Sequence, residues 1–207
     1  MTKVIQGLDG ILSGKIGDKV YVQRYGKTYV RTAPPRTKDV STPAMLLNQK
    51  RFKEIMRFCG LFKNGLIPQV WNPAAVNTSG FRVFQKANSP AFDKDGSLLD
   101  PKLIKLSTGS LPLPKGLTAG RASAGSSVIN VSWEQDLHLG GIHLQDELMV
   151  ISAGGGLYSA LLETGIERNA LGGSFELPAL EDPATHLYLF FGSQDKQEYT
   201  ESVCLEI

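Results

Sequence analysis

The sequence predicts an α+β fold, mainly β, in two units. Residues 1–102 form a basic hairpin followed by two helices, and residues 103–207 form an antiparallel β-sandwich. Three observations predict it. Residues 20–31 alternate apolar and polar side chains around a glycine. Apolar residues recur at helical spacing between Thr42 and Lys63. From about Leu103, short strand-like runs alternate with Gly, Pro and Ser turns, the pattern of a sandwich. The 22 glycines and 11 prolines among 207 residues agree with a chain of many turns.

The hairpin comes first. Val20–Gln23 make one arm and Thr28–Arg31 the other, with Tyr25-Gly26 between them. A two-residue loop pairs Val22 with Tyr29 and Tyr21 with Val30. Gly26-Lys27-Thr28 resembles the end of a phosphate-binding loop, but the pattern is incomplete. The required upstream glycine is Tyr21, and Pro34-Pro35 follows where a helix should begin. Residues 32–41, TAPPRTKDVS, read as a linker. Thr42-Pro43 is a helix start, with Thr as cap and Pro at the first helical position. Leu46, Leu47, Phe52, Ile55, Met56, Cys59 and Phe62 are expected on its inner face. Asn72-Pro73 repeats the start signal, and a second helix is expected to run to about Asn88 with Val76, Phe84 and Ala87 inward. Gly80 weakens that helix.

Strands are expected at Leu103–Ser107, Ser127–Trp133, Glu147–Ala153, Leu157–Glu163, Gly173–Leu177, His186–Gly192 and Glu198–Ile207. Gly154-Gly155-Gly156 turns the third into the fourth. Trp133, Leu180, Tyr188 and Leu189 are expected in the core. Trp71 is expected at the junction of the two units or between the helices.

Hydrophobic residues make up 42% of the chain and charged residues 20%, ordinary values for a globular protein. No run approaches the length of a membrane helix. MTKVIQGLDGILSGK lacks the unbroken apolar stretch of a signal peptide. A cytoplasmic protein, or part of an assembled particle, is expected. Cys59 and Cys204 lie far apart in sequence and read as buried apolar side chains, not as a disulfide framework or a zinc site. Net charge is +2, but residues 1–105 carry 18 Lys+Arg against 7 Asp+Glu and the remainder 4 against 13. The basic half calls for an acidic partner: nucleic acid, another protein, or the acidic half of a neighbouring copy.

Two resemblances add to this reading. SVINVSWEQD resembles the second strand of a fibronectin type III or immunoglobulin-like module, with its tryptophan at Trp133. FELPALEDPATHLYLFFGSQDKQEYTESVCLEI resembles its last three strands, with Leu180 ahead of the corner, Tyr188 as the strand tyrosine and Ser202 opening the last strand. The whole chain resembles a bacterial domain-of-unknown-function family found mainly in Bacteroidota. The motifs SGKIGDKVYVQRYGKTYVR, TPAMLLNQKRFKE, WNPAAVNTSGFRVFQKAN and LIKLSTGSLPLP carry that resemblance. It implies the architecture and no activity.

The function expected is non-catalytic, a structural or protein-interaction role such as a phage-like or appendage component. The predicted contact surface is Tyr21, Arg24, Tyr25, Lys27, Tyr29, Arg31, Arg36 and Lys38, extended by Lys50, Arg51, Lys53 and Arg57 on the first helix. The alternative is nucleic-acid binding by the same surface, with cations on phosphates and tyrosines stacked on bases. No small-molecule substrate, cofactor or metal is expected. His138 and His143 lie near Asp136, Asp146 and Glu147, but in a loop without ligand spacing, so they read as solvated histidines. Gly125-Ser126 and Gly192-Ser193 lack the second glycine of a nucleophile elbow. His186, the remaining histidine, is placed by alternation beside the last-but-one strand, and Glu181-Asp182 reads as a turn.

Overall fold

A computed structural model of the chain describes residues 13–24, 26–34, 41–135 and 141–207. Two compact units emerge, Met1–Thr42 and Pro43–Ile207. In the first, β1 (Gly14–Ile16), β2 (Lys19–Arg24) and β3 (Lys27–Thr32) form an antiparallel sheet in that order. Val22 pairs with Tyr29 and Tyr21 with Val30, the register that a two-residue loop requires. The edge strand β1 was not foreseen. Its Ile16 pairs with Lys19 across Gly17-Asp18, itself a short hairpin signal.

The second unit is α+β. Helix α1 (Pro43–Leu61), a π-helical turn (Ile67–Trp71) and α2 (Gly80–Asn88) precede the strands. One antiparallel sheet runs β11 (Val203–Glu206), β10 (His186–Gly192), β6 (Glu147–Gly154), β7 (Leu157–Tyr158), with β8 (Leu162–Glu167) also paired to β6. A smaller sheet runs β4 (Thr118–Arg121), β5 (Val128–Ser132), β9 (Gly172–Glu176). Neither sheet closes on itself.

β6 and β10 organise this unit. Their register sets Ile151 opposite Tyr188 and Met149 opposite Phe190. These side chains join Ala153 in a core with Ile55, Phe58, Phe62, Trp71 and Phe84. The alternate residues, Leu148, Val150, Leu187, Leu189 and Phe191, join a second core with Ile129, Val131, Trp133, Phe175 and Leu177. Both faces of the central strands are therefore buried, and their sequences ELMVISAG and HLYLFFG read as nearly continuous apolar runs.

This packing moves the expected boundary at 102. Residues 43–102 lie in the same compact unit as 103–207, because the helices cover a sheet face that would otherwise be bare. Charge marks what meets water, and the helices are joined to the sheet by apolar contact. Trp71 is buried, edge-on to Phe84 at 5.1 Å, and its Nε1 donates to the Leu106 carbonyl at 2.8 Å.

Several expected elements shift. The second helix starts at Gly80, not at Pro73, and Val76 is 79% exposed. Asn72 Oδ1 instead accepts from Gly80 N at 3.2 Å. A β-carbon at residue 80 would lie 2.4 Å from that oxygen and 2.6 Å from backbone of Trp71 and Asn72. The glycine that weakens a helix in sequence permits this close approach. Leu46, Leu47 and Phe52 are exposed, since the core reaches α1 only from Ile55.

Residues 103–107 form no strand. Leu106 N donates to Ser202 Oγ at 2.9 Å and Ser107 Oγ to the Thr200 carbonyl at 2.7 Å. Side chains thus satisfy groups that a ladder would have paired. The expected 157–163 strand breaks into β7 and β8, where Ser159 N returns to the Ser152 carbonyl. The last strand starts at Val203, not Glu198, and β4 is additional. The triple-glycine turn is present: Gly154 pairs with Leu157, and Gly155 and Gly156 take φ of 59° and 81°, a left-handed pair suited to a two-residue hairpin. Leu180 is only half-buried, and Leu177 occupies the core. Trp133, Tyr188 and Leu189 are buried as expected.

Candidate interaction surface

Cross-strand partners share a face, so the register sorts the first unit's side chains. Lys15 pairs with Val20, Val20 with Arg31, and Val22 with Tyr29. Lys15, Arg31 and Tyr29 therefore stand with Val20 and Val22 on one face, and alternation adds Lys27. The other face holds Ile16, Lys19, Tyr21, Gln23, Thr28, Val30 and Thr32 by the same rule. Lys15, Lys27 and Arg31 thus gather on a face whose strand positions, among the described residues, hold no carboxylate. The tyrosines do not gather: Tyr21 and Tyr29 fall on opposite faces. Arg24 pairs in register with Lys27; its side chain, with Tyr25, Arg36 and Lys38, lies outside the described residues.

No described residue between 13 and 34 is buried. Tyr29 is 54% exposed and Val30 52%, although they point to opposite faces. Three short strands need a covered apolar face for independent stability. This sheet presents partly exposed apolar side chains on both.

The four α1 cations do not all share one patch. Arg51 turns inward, and its Nη2 donates to the Ser89 carbonyl at 2.9 Å, tying α1 to the end of α2. Arg57 is 82% exposed and lies 4.0 Å from Glu54. Lys50 and Lys53 are exposed. Among them stand apolar residues that sequence periodicity assigned to the core: Leu46 at 55% and Phe52 at 54% exposure. No residue from 42 to 50 is buried. Here periodicity identified the helix, but not where its covering surface ends.

His143, Asp146 and Arg168 make a structural cluster. Asp146 and Arg168 are buried, with Arg168 Nη1 and Asp146 Oδ2 4.0 Å apart. Arg168 Nη2 donates to the Pro112 carbonyl at 2.7 Å, and its guanidinium sits 5.4 Å from the Phe191 ring centre. His143 Nδ1 lies 3.4 Å from Asp146 Oδ2. His143 is therefore a half-buried partner of a carboxylate, not a solvated loop residue; its spacing of three from Asp146 in a 3₁₀ turn was the available signal. His138 and Asp136 lie outside the described residues. Burial pushes the Asp146 carboxyl up, and His143 and Arg168 pull it partly back. The cluster fastens the 141–146 turn to the 168–170 turn, with Arg168 N donating to the Asp146 carbonyl at 2.8 Å.

Two of the open grooves lined by described residues lie on the second unit. One, of about 420 Å³, runs past Arg121, Glu176, Leu180 and Asp182. Its arginine is committed, donating to the Ser126 and Ala184 carbonyls at 2.6 Å each. Ser127 Oγ donates to Glu176 at 2.9 Å. The other lies along α2 beside Thr78, Arg82 and Lys86. Cys59 is fully buried, and burial pushes its thiol up to about 11. Among the described residues no helix is long and apolar enough to cross a membrane. No family model, curated protein or solved structure matches the chain.

Proposed function

We propose that this chain is a non-catalytic interaction or assembly protein, with the β1–β3 sheet as its contact surface. The supporting observation is that this sheet has no buried described residue while carrying Tyr29 and Val30, both half exposed, on its two faces. Such a sheet gains most from a partner that covers it. Its Lys15, Lys27 and Arg31 favour an acidic surface. The second unit supplies a filled scaffold, in our reading a fibronectin type III or immunoglobulin-like sandwich with helices added to one face. We also retain membership of the Bacteroidota family and a place in a phage-like or appendage assembly as parts of this proposal.

The test is solution mass by size-exclusion chromatography with light scattering, at low and high salt. An oligomer that dissociates with salt supports contact between basic and acidic surfaces of two copies. A monomer under both conditions removes self-assembly and leaves a different acidic partner. Nucleic-acid binding is the second reading, favoured by three cations that share a face without a carboxylate among the described strand residues. It is opposed by the splitting of Tyr21 from Tyr29, because stacking on successive bases needs the rings on one side. Binding to mixed-sequence DNA or RNA, with a steep salt dependence that falls in Lys27→Ala with Arg31→Ala, would favour this second reading.

A further inference from the structure

We propose that the outward side of α1 is a separate docking surface for an acidic amphipathic helix of another protein. This rests on reading the chain as a partner-binding protein, but not on the β1–β3 sheet. Positions 46, 50, 53, 57 and 61 recur at spacings of four, three, four and four, so they line one side of the helix. They are Leu46, Lys50, Lys53, Arg57 and Leu61. All five are exposed, the leucines at 55% and 59%. Ile55, Cys59 and Phe62 on the inner side are buried. Three cations thus lie between two bare leucines along about 22 Å of helix.

Each part of this stripe specifies the partner. Lys50, Lys53 and Arg57 call for carboxylates. Glu54 lies near Arg57, and Asp95 is in range of Lys50, so the α1 segment keeps a net positive charge. Leu46 and Leu61 call for apolar contacts at both ends, which a phosphate backbone cannot supply. A facing helix meets both demands, because its residues repeat with the same spacing. The described residues of this chain offer no such helix: α2, GFRVFQKAN, carries Arg82 and Lys86 and no carboxylate. Two α1 helices would set cation against cation. The occupant is therefore a different, acidic chain. It would also stabilise the first two turns of α1, which have no buried residue of their own.

The experiment titrates the full chain into a fluorescein-labelled leucine–glutamate peptide about 20 residues long, matched to α1. Polyglutamate of equal length and single-stranded oligothymidylate are run beside it. The amphipathic peptide should bind about tenfold tighter than polyglutamate. Lys50→Glu with Lys53→Glu should weaken it by about tenfold, and so should Leu46→Ser with Leu61→Ser. Thermal melts verify that these surface variants remain folded. Lys27→Glu with Arg31→Glu should weaken the peptide by much less than the Lys50/Lys53 pair does. No peptide binding, equal binding of polyglutamate, or tighter binding of oligothymidylate would overturn the proposal. Loss of binding in the Lys27/Arg31 variant alone would overturn it too, while leaving the sheet as a partner surface. Salt-independent solution mass bears on sheet-mediated self-assembly and not on this stripe.

Discussion

Two antiparallel sheets in this molecule use similar residues for opposite ends. β2 and β3 alternate Tyr, Val, Thr and basic side chains, and none of their described side chains is buried. β6 and β10 are equally rich in aromatic and branched residues, and nearly every one is buried on one face or the other. Strand chemistry alone does not decide whether a sheet becomes a core or a surface. The difference lies in the supply of covering layers. Helices meet one face of β6 and β10, the β4–β5–β9 sheet meets the other, and no described element performs this service within the first unit.

Substitutions can break that comparison. The largest effect should come from Phe190→Ala in the middle of β10. The ring is fully buried, and its loss should cost about 3–5 kcal/mol. Differential scanning calorimetry should show the melting temperature falling by roughly 10 °C. A fall of a degree or two would mean that the helical layer is loosely packed and the contrast between the sheets overstated.

Gly80→Ala tests how tightly that helical layer is held. Helix propensity alone predicts a gain of up to about 1 kcal/mol. The clash with Asn72 and the Trp71 backbone predicts instead a loss of about 1–3 kcal/mol. Urea denaturation gives the sign, and a stabilised variant would refute the close approach.

Asp146→Asn compares buried charge with exposed charge. Burial raises the Asp146 carboxyl in the folded state. The folded protein then holds that proton more tightly than the unfolded chain does. Stability is consequently lost as pH rises from about 4 through the folded-state value. The asparagine variant lacks this loss, so the wild-type advantage should shrink as pH rises. Urea melts between about pH 4 and pH 7 measure it. An advantage that grows with pH would show the His143 and Arg168 attractions outweighing burial.

The smallest effect on stability belongs to Tyr29→Ala, within about 0.5 kcal/mol by chemical denaturation of the monomer. The same variant should lose any salt-sensitive oligomer. A stability loss near that of Phe190→Ala would mean that Tyr29 is covered after all, and the first sheet is a core like the second.

Sequence reading reached what local pattern controls. The hairpin register at Val22–Tyr29 and the glycine turn after β6 followed from alternation and turn chemistry, and the burial of Trp133 and Tyr188 was what the sandwich resemblance implied. It failed where a distant surface decides. Leu46 and Phe52 continue the helical period of Ile55 and Phe62, but nothing in the period says that cover stops near residue 55. Ser202 replaces a ladder partner for Leu106 from nearly a hundred residues away. The proposed surface was half legible: Lys27, Tyr29 and Arg31 were named together, whereas Lys15 waits on β1. Arg51 was counted with the surface cations because a sequence does not reveal that the Ser89 carbonyl is within its reach.

The central place of β10 also sets a timetable for synthesis. Both cores close around residues 186–192, yet α1 and α2 leave the ribosome first. At about 5–20 residues per second, over a hundred residues separate Phe62 from Phe190, a wait of roughly ten seconds. Through that interval Ile55, Phe58, Phe62 and Phe84 have no sheet to rest on. The newborn chain is therefore most exposed to aggregation and chaperone capture after its helices appear and before residues 186–192 are made.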